Sequence, residues 1–366
     1  MPRSKPFETL SFVANLIDPF ADKDSLEKML KCGPDWDEVV RIASQHLVLP
    51  TLYYQLKRNC LLDFLPKDLA TYLNQLSQLN HERNEALIRQ VADIQQIFQR
   101  KDIQGIFVKG AALLVSGAMT DEGERMVGDI DILVKTDQCQ LAHDCLKGQG
   151  YFHPTPINPG AKHLRNTARH LPRLHHSSQP AGVEIHHRLL QKDQQSLLNP
   201  QSVLAQSRQS MGISIPAEAD MFHHAILNWE INDLGNINTN LSLRSVYDAL
   251  IILKFYKNSI DLIEHNQIQS INKFLQKCVV LYPNHLMLGK LQTNGFTRHH
   301  YAVLLKWPLL DEFNKTIQGL FRFSKLLINR LRQLIFNKAY RKDVFNNPAY
   351  ALQACHRVFL RLVLCR

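Results

Sequence analysis

The chain has 366 residues, more than one ordinary hydrophobic core accommodates, so two or three packed units are expected. With 45% hydrophobic and 21% charged residues and no low-complexity stretch, extended disorder is excluded. The net charge of +10 is unevenly placed: between Leu320 and Arg366 ten basic residues stand against one acid, Asp343, and the remainder is nearly neutral.

The opening residues, Met1-Pro2-Arg3-Ser4-Lys5-Pro6, lack the apolar core of a signal peptide, and no window holds about 18 uninterrupted apolar residues for a membrane span. The seven cysteines are scattered, odd in number and free of any CxxC pair, which fits reduced thiols rather than disulfides or zinc. These features predict a cytoplasmic chain without a transmembrane segment.

Residues 1–101 read as an N-terminal helical region. A helix starting near Asp35 buries Val39, Ile42 and Leu47 and stops around Pro50. A long helix follows over 66–101, where Leu69, Tyr72, Leu73, Leu76, Leu79, Leu87, Val91, Ile94, Ile97 and Phe98 recur at three- and four-residue steps, with Pro66 in its first turn. The character changes at Ile103: residues 103–108 read as a strand, then a short helix from Gly110 to Gly117, a charged loop with Asp121, Glu122, Glu124 and Arg125, and a second strand over 129–135. Residues 136–148 form a helix closed by glycine with Leu141 and Ala142 facing inward. Residues 171–177 and 183–189 form a hairpin across Ser178-Gln179-Pro180-Ala181-Gly182. Everything from about Asn199 reads as helical again, including 217–231 and 241–258. An α+β chain is therefore predicted, with a helical region 1–101, a core 102–192, and a helical region 193–366 that ends in the basic tail.

Chemistry concentrates in Gly128-Asp129-Ile130-Asp131-Ile132-Leu133-Val134. Alternate side chains of a strand share a face, so Asp129 and Asp131 point together while Ile130, Ile132 and Val134 pack behind them. Adjacent carboxylates repel, and Mg²⁺, which takes a few carboxylates plus phosphate oxygens, relieves that repulsion. Taken alone, such a pair fits a solvated strand edge better. Val108-Lys109-Gly110-Ala111-Ala112-Leu113 reads as a strand end, a glycine turn and a helix start, whose amides with Lys109 make a phosphate-sized anion site; an ordinary strand-to-helix turn uses the same residues. In Val183-Glu184-Ile185-His186-His187, Glu184 and His186 share a face, so a third carboxylate can meet the aspartates across the sheet. A Glu184–arginine pair and a hydrogen-bonded structural His186 are the alternatives there.

Together, Lys109-Gly110-Ala111-Ala112-Leu113, Arg125 ahead of the Asp129–Asp131 strand, and Glu184-Ile185-His186 resemble the uncharacterised nucleotidyltransferase family of the DNA polymerase β superfamily. Leu243-Arg244-Ser245-Val246-Tyr247-Asp248-Ala249-Leu250 resembles that family's Arg-x-x-x-Asp helix. The resemblance is carried by roughly residues 103–190 and implies a small mixed-sheet nucleotidyltransferase core between helical flanks. It also implies two Mg²⁺ ions on Asp129, Asp131 and Glu184, with His186 in support, and a nucleotide site of Lys109, Gly110, Ala111 and Arg125. The implied reaction moves a nucleoside monophosphate from an NTP, with ATP as the default, to an acceptor hydroxyl and releases pyrophosphate. The acceptor is left open among an RNA end, a protein, a peptide and a small metabolite.

Where the wider superfamily has Gly-Ser or Gly-Gly, this chain has Gly110-Ala111, so nucleotide binding would lean on backbone amides, Lys109 and Arg125. A catalytically inactive module that binds an anionic partner, RNA or a membrane surface, is the alternative. Retention of three mutually repelling acids favours the enzyme, and predicts that neutralising Asp131 leaves the fold at least as stable.

Three further features are weaker. Lys162, Arg165, Arg169 and Arg173, with the histidines among residues 162–176, would attract a polyanion, but stacking aromatics are absent and a solvated loop explains them equally. In the tail, Leu326, Leu327, Leu331, Leu334 and Ile335 share a helical face flanked by Lys325, Arg332 and Lys338; packing onto the protein's own core is favoured over peripheral contact with an anionic membrane. The adjacent pairs His223-His224 and His299-His300 point to different helix faces and make no single metal site.

Overall fold

The computed structural model describes residues 5–154, 169–235, 241–256, 268–283, 285, 288 and 295–363. Four helices open the chain: α1 (Lys5–Leu16), α2 (Lys23–Leu30), α3 (Trp36–Gln45) and α4 (Leu49–Arg58). Asp22 and Asp35 start α2 and α3, accepting hydrogen bonds from the amides of Ser25 and Glu38 that helix geometry leaves unpaired. Pro50 begins a helix instead of ending one, because a first-turn proline loses no needed N–H. The break between α3 and α4 falls at Leu47, whose φ is 57°.

Helix α5 (Lys67–Arg100) is the long helix expected, but its buried stripe differs in kind. Tyr72 and Leu79 are exposed, while Leu73, Ser77, Asn80, Asn84, Leu87, Val91, Ile94 and Phe98 are buried at alternating four- and three-residue steps. The polar members hold loops. Asn80 Nδ2 donates to the carbonyls of Gly123 (2.8 Å) and Arg125 (3.1 Å), and Asn84 Nδ2 to those of Glu122 (2.6 Å) and Arg125 (2.7 Å). Gln90 exchanges two hydrogen bonds with the backbone of Ala181.

A three-stranded sheet packs beside α5, with β1 (Gly105–Val108), β2 (Asp129–Val134) and β3 (Gly182–His186) in that order. β1 runs antiparallel to the central β2 and β3 runs parallel to it, so the sheet is mixed. Ile130, Ile132, Leu133 and Val134 are all buried, as expected of a strand covered on both faces. Helix α6 (Lys109–Val115) follows β1, and α7 (Cys139–Gly148) follows β2. On α7 the inward residues are Cys139, Ala142, His143 and Leu146, and Leu141 is exposed.

The expected hairpin partner of β3 pairs only through isolated bridges, Leu174 with Val183 and His170 with His186. The two bridges differ in register by one residue, a bulge at the segment containing Pro172, which has no N–H to offer a ladder.

Beyond α8 (Pro200–Ala205) the structure departs from the all-helical expectation: β4 (Arg208–Ser210) and β5 (Ile213–Ile215) form a second, two-stranded sheet. Met211 and Gly212, both at positive φ, make its turn. Then come α9 (Glu218–Leu227), a π-helical turn (Asn228–Asn232), α10 (Leu243–Phe255), α11 (Gln269–Leu281) and α12 (Gly295–Lys306). One continuous buried core joins Phe7 at one end to Tyr301 at the other.

The last helices are α13 (Pro308–Phe336), α14 (Lys338–Asn346) and α15 (Pro348–Val363); α13 meets the rest of the chain in its first half, where Lys315 lies by Gln45, Trp229 and Arg244. Among their described residues no large apolar side chain is buried. The tail face expected to pack inward does so only in part: Leu326 and Leu334 are half-buried, while Leu327, Leu331 and Ile335 are exposed. Among the described residues no helix is long and apolar enough to cross a membrane. The conclusion is an α+β chain in which a small mixed sheet sits between helical flanks.

Candidate active site

Strand register places Asp131 directly beside Glu184 on one side and Val108 on the other, with Asp129 beside Gly182. Asp131 is 2% exposed, whereas Asp129 lies at the solvent-facing start of β2. Asp131 Oδ1 accepts from Lys109 Nζ at 2.6 Å and lies 2.8 Å from His186 Nε2. The same imidazole nitrogen is 3.5 Å from Glu184 Oε2. His186 therefore sits between the two acids, and Lys109 covers the deeper one.

Asp129 and Glu184 are joined by a residue from the bulged segment. Arg173 Nη2 donates to Asp129 Oδ2 at 2.5 Å and lies 2.8 Å from Glu184 Oε1, while its Nε donates to that same oxygen at 2.9 Å. Gly182 leaves the space: a Cβ there would lie 2.9 Å from Arg173 Cδ. His170 closes the same edge, with Nε2 3.7 Å from Glu184 Oε2.

These partners set the charge states. Burial opposes ionisation of Glu184, but His186, His170 and Arg173 hold its carboxyl down to about 2. At Asp131 burial also opposes ionisation, and Lys109 with His186 overcomes it, holding the carboxyl well below its ordinary range. Asp129 goes the other way, raised by burial and then by the negative charge of Asp131. The three carboxylates thus differ in proton affinity although they share one face.

Lys109 has φ 55°, a left-handed conformation that a residue with a side chain adopts at some cost, at the junction of β1 and α6. Next to it, a Cβ on Gly110 would lie 2.4 Å from Arg125 Nη1, so glycine is needed for the guanidinium to pass over the turn. Arg125 is buried and committed: its Nε and Nη2 donate to the two carboxylate oxygens of Asp248 on α10, both at 2.7 Å. Ala111 is buried in the first turn of α6.

Sequence reasoning brought Asp129, Asp131, Glu184, His186, Lys109 and Gly110 to this place, and placed Arg125 next to them. Its alternative of a Glu184–arginine pair is present through Arg173, which it did not name; it gave His170 no part beyond a basic stretch, of which residues 162–168 lie outside the described residues. It also set aside His224. That imidazole on α9 is buried, its Nε2 has no hydrogen-bond partner among the described residues, and it lies within the electrostatic field of Lys109, Asp131 and His186. Burial pushes it down to about 3, so it is neutral. A buried ring within the field of the site's charged groups is its signal, and it appears only after folding.

One ligand atom each from Asp131, Glu184 and His186 lie within 4.8 Å of one another, a spacing that can hold a metal ion. Two carboxylates suit a hard divalent cation and the imidazole broadens the choice toward transition metals. A second such group, His81, Asp121 and Glu122, is half-buried beside α5.

A family described as uncharacterised nucleotidyltransferase matches residues 33–280, which takes in the chain from α3 through the three-stranded sheet to α11, of which only the last residue lies outside. No curated protein and no solved structure matches the chain.

Proposed function

The chain belongs to the uncharacterised nucleotidyltransferase family, and from that premise we propose that it transfers a nucleoside monophosphate from an NTP, ATP by default, to an acceptor hydroxyl. The observation that carries this reading is the meeting of Asp131, Glu184 and His186 on one sheet face, with Asp129 next to them at the open edge. In the reaction the hydroxyl oxygen bonds to the α-phosphorus, the bond to the bridging oxygen of the β-phosphate breaks, and pyrophosphate leaves. Mg²⁺ held by Asp129, Asp131 and Glu184, two ions in the full site, would supply charge neutralisation at the phosphates and a more acidic hydroxyl.

The protein's own groups then divide the work. Asp129, at the solvent-facing start of β2, would hold the metal on the side from which the acceptor hydroxyl enters. Lys109 and Arg173, which neutralise the acids in the metal-free protein, turn to phosphate oxygens when nucleotide enters; Lys109 keeps a quarter of its side chain exposed for that movement. The Gly110 and Ala111 amides line the turn, and Arg125, fixed by Asp248, sets the shape of that turn. The free thiols among the described cysteines suit a reducing compartment, the cytoplasm.

A second reading rests on one observation: every acid of the site already has a cationic partner, as a silent module binding an anionic ligand would also require. Incubating the protein with each α-labelled NTP, Mg²⁺ and fractions offering RNA, protein or small-molecule hydroxyls separates the two. Label should move to one fraction with wild type and not with Asp131→Asn. Nucleotide binding without any transfer, in wild type as in the variant, would favour the silent module.

A further inference from the structure

We infer that helices α13 to α15 dock the protein onto an anionic lipid surface, a property that stands apart from the transfer reaction proposed above. Along α13, Phe313, Ile317, Phe321, Ile328, Leu331 and Ile335 are from 47% to 66% exposed. At 100° per residue they fall on one stripe, roughly 33 Å long at 1.5 Å per residue, and soluble surfaces rarely leave so continuous an apolar band open. This stripe is not the face α13 uses for packing. Its packing face carries Phe323, whose ring meets Phe359 of α15 edge-on at 5.2 Å, and Arg330, whose Nη1 lies 2.6 Å from Cys355 Sγ.

Charge selects the occupant. Lys325 and Arg332 flank the stripe on α13, and Lys338 and Lys342 are exposed on α14. Over residues 320–366 ten basic residues face one acid. A second copy would match the apolar stripe but bring two strongly cationic surfaces together. A nucleic acid would match the charge but leave the apolar side chains in water. An anionic bilayer answers both, taking the apolar stripe into its interface and the lysines and arginines at its headgroups. Trp307, 55% exposed at the start of α13, has the amphipathic ring that favours that depth. The helix lies in the interface and does not cross it.

The test is flotation of the full-length chain with vesicles of phosphatidylcholine alone and of equal parts phosphatidylcholine and phosphatidylglycerol. The protein should float with the anionic vesicles only, and less as salt rises. Two variants on exposed positions should each weaken binding at least about tenfold while keeping the wild-type melt: Ile317→Ser/Phe321→Ser/Leu331→Ser, and Lys325→Glu/Arg332→Glu/Lys338→Glu. Tryptophan emission of the wild type should be quenched by brominated lipid chains, which gives an answer even if a variant fails to fold. Absence of flotation and quenching would overturn the proposal. So would flotation unchanged by the apolar variant, a solution dimer that this variant dissociates, or retention on single-stranded RNA without flotation.

Discussion

At Asp131 the residue types of the site matter less than their pairing. Three acids on one face suggested unopposed repulsion, relieved by neutralising one of them. In the folded chain Lys109 and His186 lie against Asp131, and Arg173 spans Asp129 and Glu184. The expected effect on stability therefore reverses. Asp131→Asn should lower the stability of the protein by about 3 kcal/mol, because it leaves the buried His186 and the partly exposed Lys109 against a neutral amide. Urea unfolding checks this, and a variant as stable as wild type would show that the pairs contribute nothing.

His224 gives a second test at this scale. Its folded value, about 3, lies below the ordinary 6.5, so the unfolded chain binds the proton more readily. The stability that this neutral, buried ring permits is fully present above about pH 6.5 and is lost as pH falls from there toward 3. Between pH 7.5 and 4.5, wild type should lose about 3 kcal/mol more than His224→Leu. Parallel pH dependence in the two proteins would remove His224 from the account.

Among the elements, α5 is the one whose presence was plain from the sequence and whose buried face was not. Hydrophobic periodicity placed the helix within a residue of its ends, yet it assigned Leu79 to the core and passed over Asn80 and Asn84. A helix pattern reports which side is apolar on average. It cannot report that a loop 40 residues away will present carbonyls to that side. Asn84→Leu should therefore destabilise the protein by about 2 kcal/mol although it completes the apolar stripe, since the Glu122 carbonyl loses its Asn84 donor and the buried Arg125 carbonyl keeps only the longer bond from Asn80. Thermal melts of this variant beside wild type decide it; a more stable variant would mean that packing outweighs the lost hydrogen bonds. The β4–β5 hairpin was missed for a related reason. Strands of three residues carry too little alternation to read, and Met211 at the turn is not the asparagine or aspartate that usually announces one.

On the scale of the whole molecule, the Arg125–Asp248 pair ties the turn beside the three-stranded sheet to the helices that follow it, across 123 residues of sequence. Asp248→Asn should cost about 3 kcal/mol and loosen the turn at Gly110, because Arg125 then stays buried without its carboxylate. Native-state hydrogen exchange should show α10 and the 105–115 segment opening together in wild type. Exchange in the variant that rises at α10 alone would mean that the pair does not couple them. Tyr247 adds to the same seam, donating its hydroxyl to the buried Glu124, which also takes Arg58 of α4 at 2.9 Å. The loop read as charged thus has Glu124 and Arg125 buried and paired, and Asp121 and Glu122 half-buried at its edge.

By itself the sequence determined the α+β class, the strand with both aspartates on one face, the facing Glu184 and the cationic tail, because periods of two and 3.6 residues and local charge depend only on neighbouring residues. Tertiary structure alone decided which cation answers each acid, that Arg125 is held by Asp248, that His224 is buried within the field of the site, and that much of the tail's apolar surface stays exposed. Each of these depends on groups brought together from distant parts of the chain, and the low polarity of the interior then fixes how strongly they act on one another.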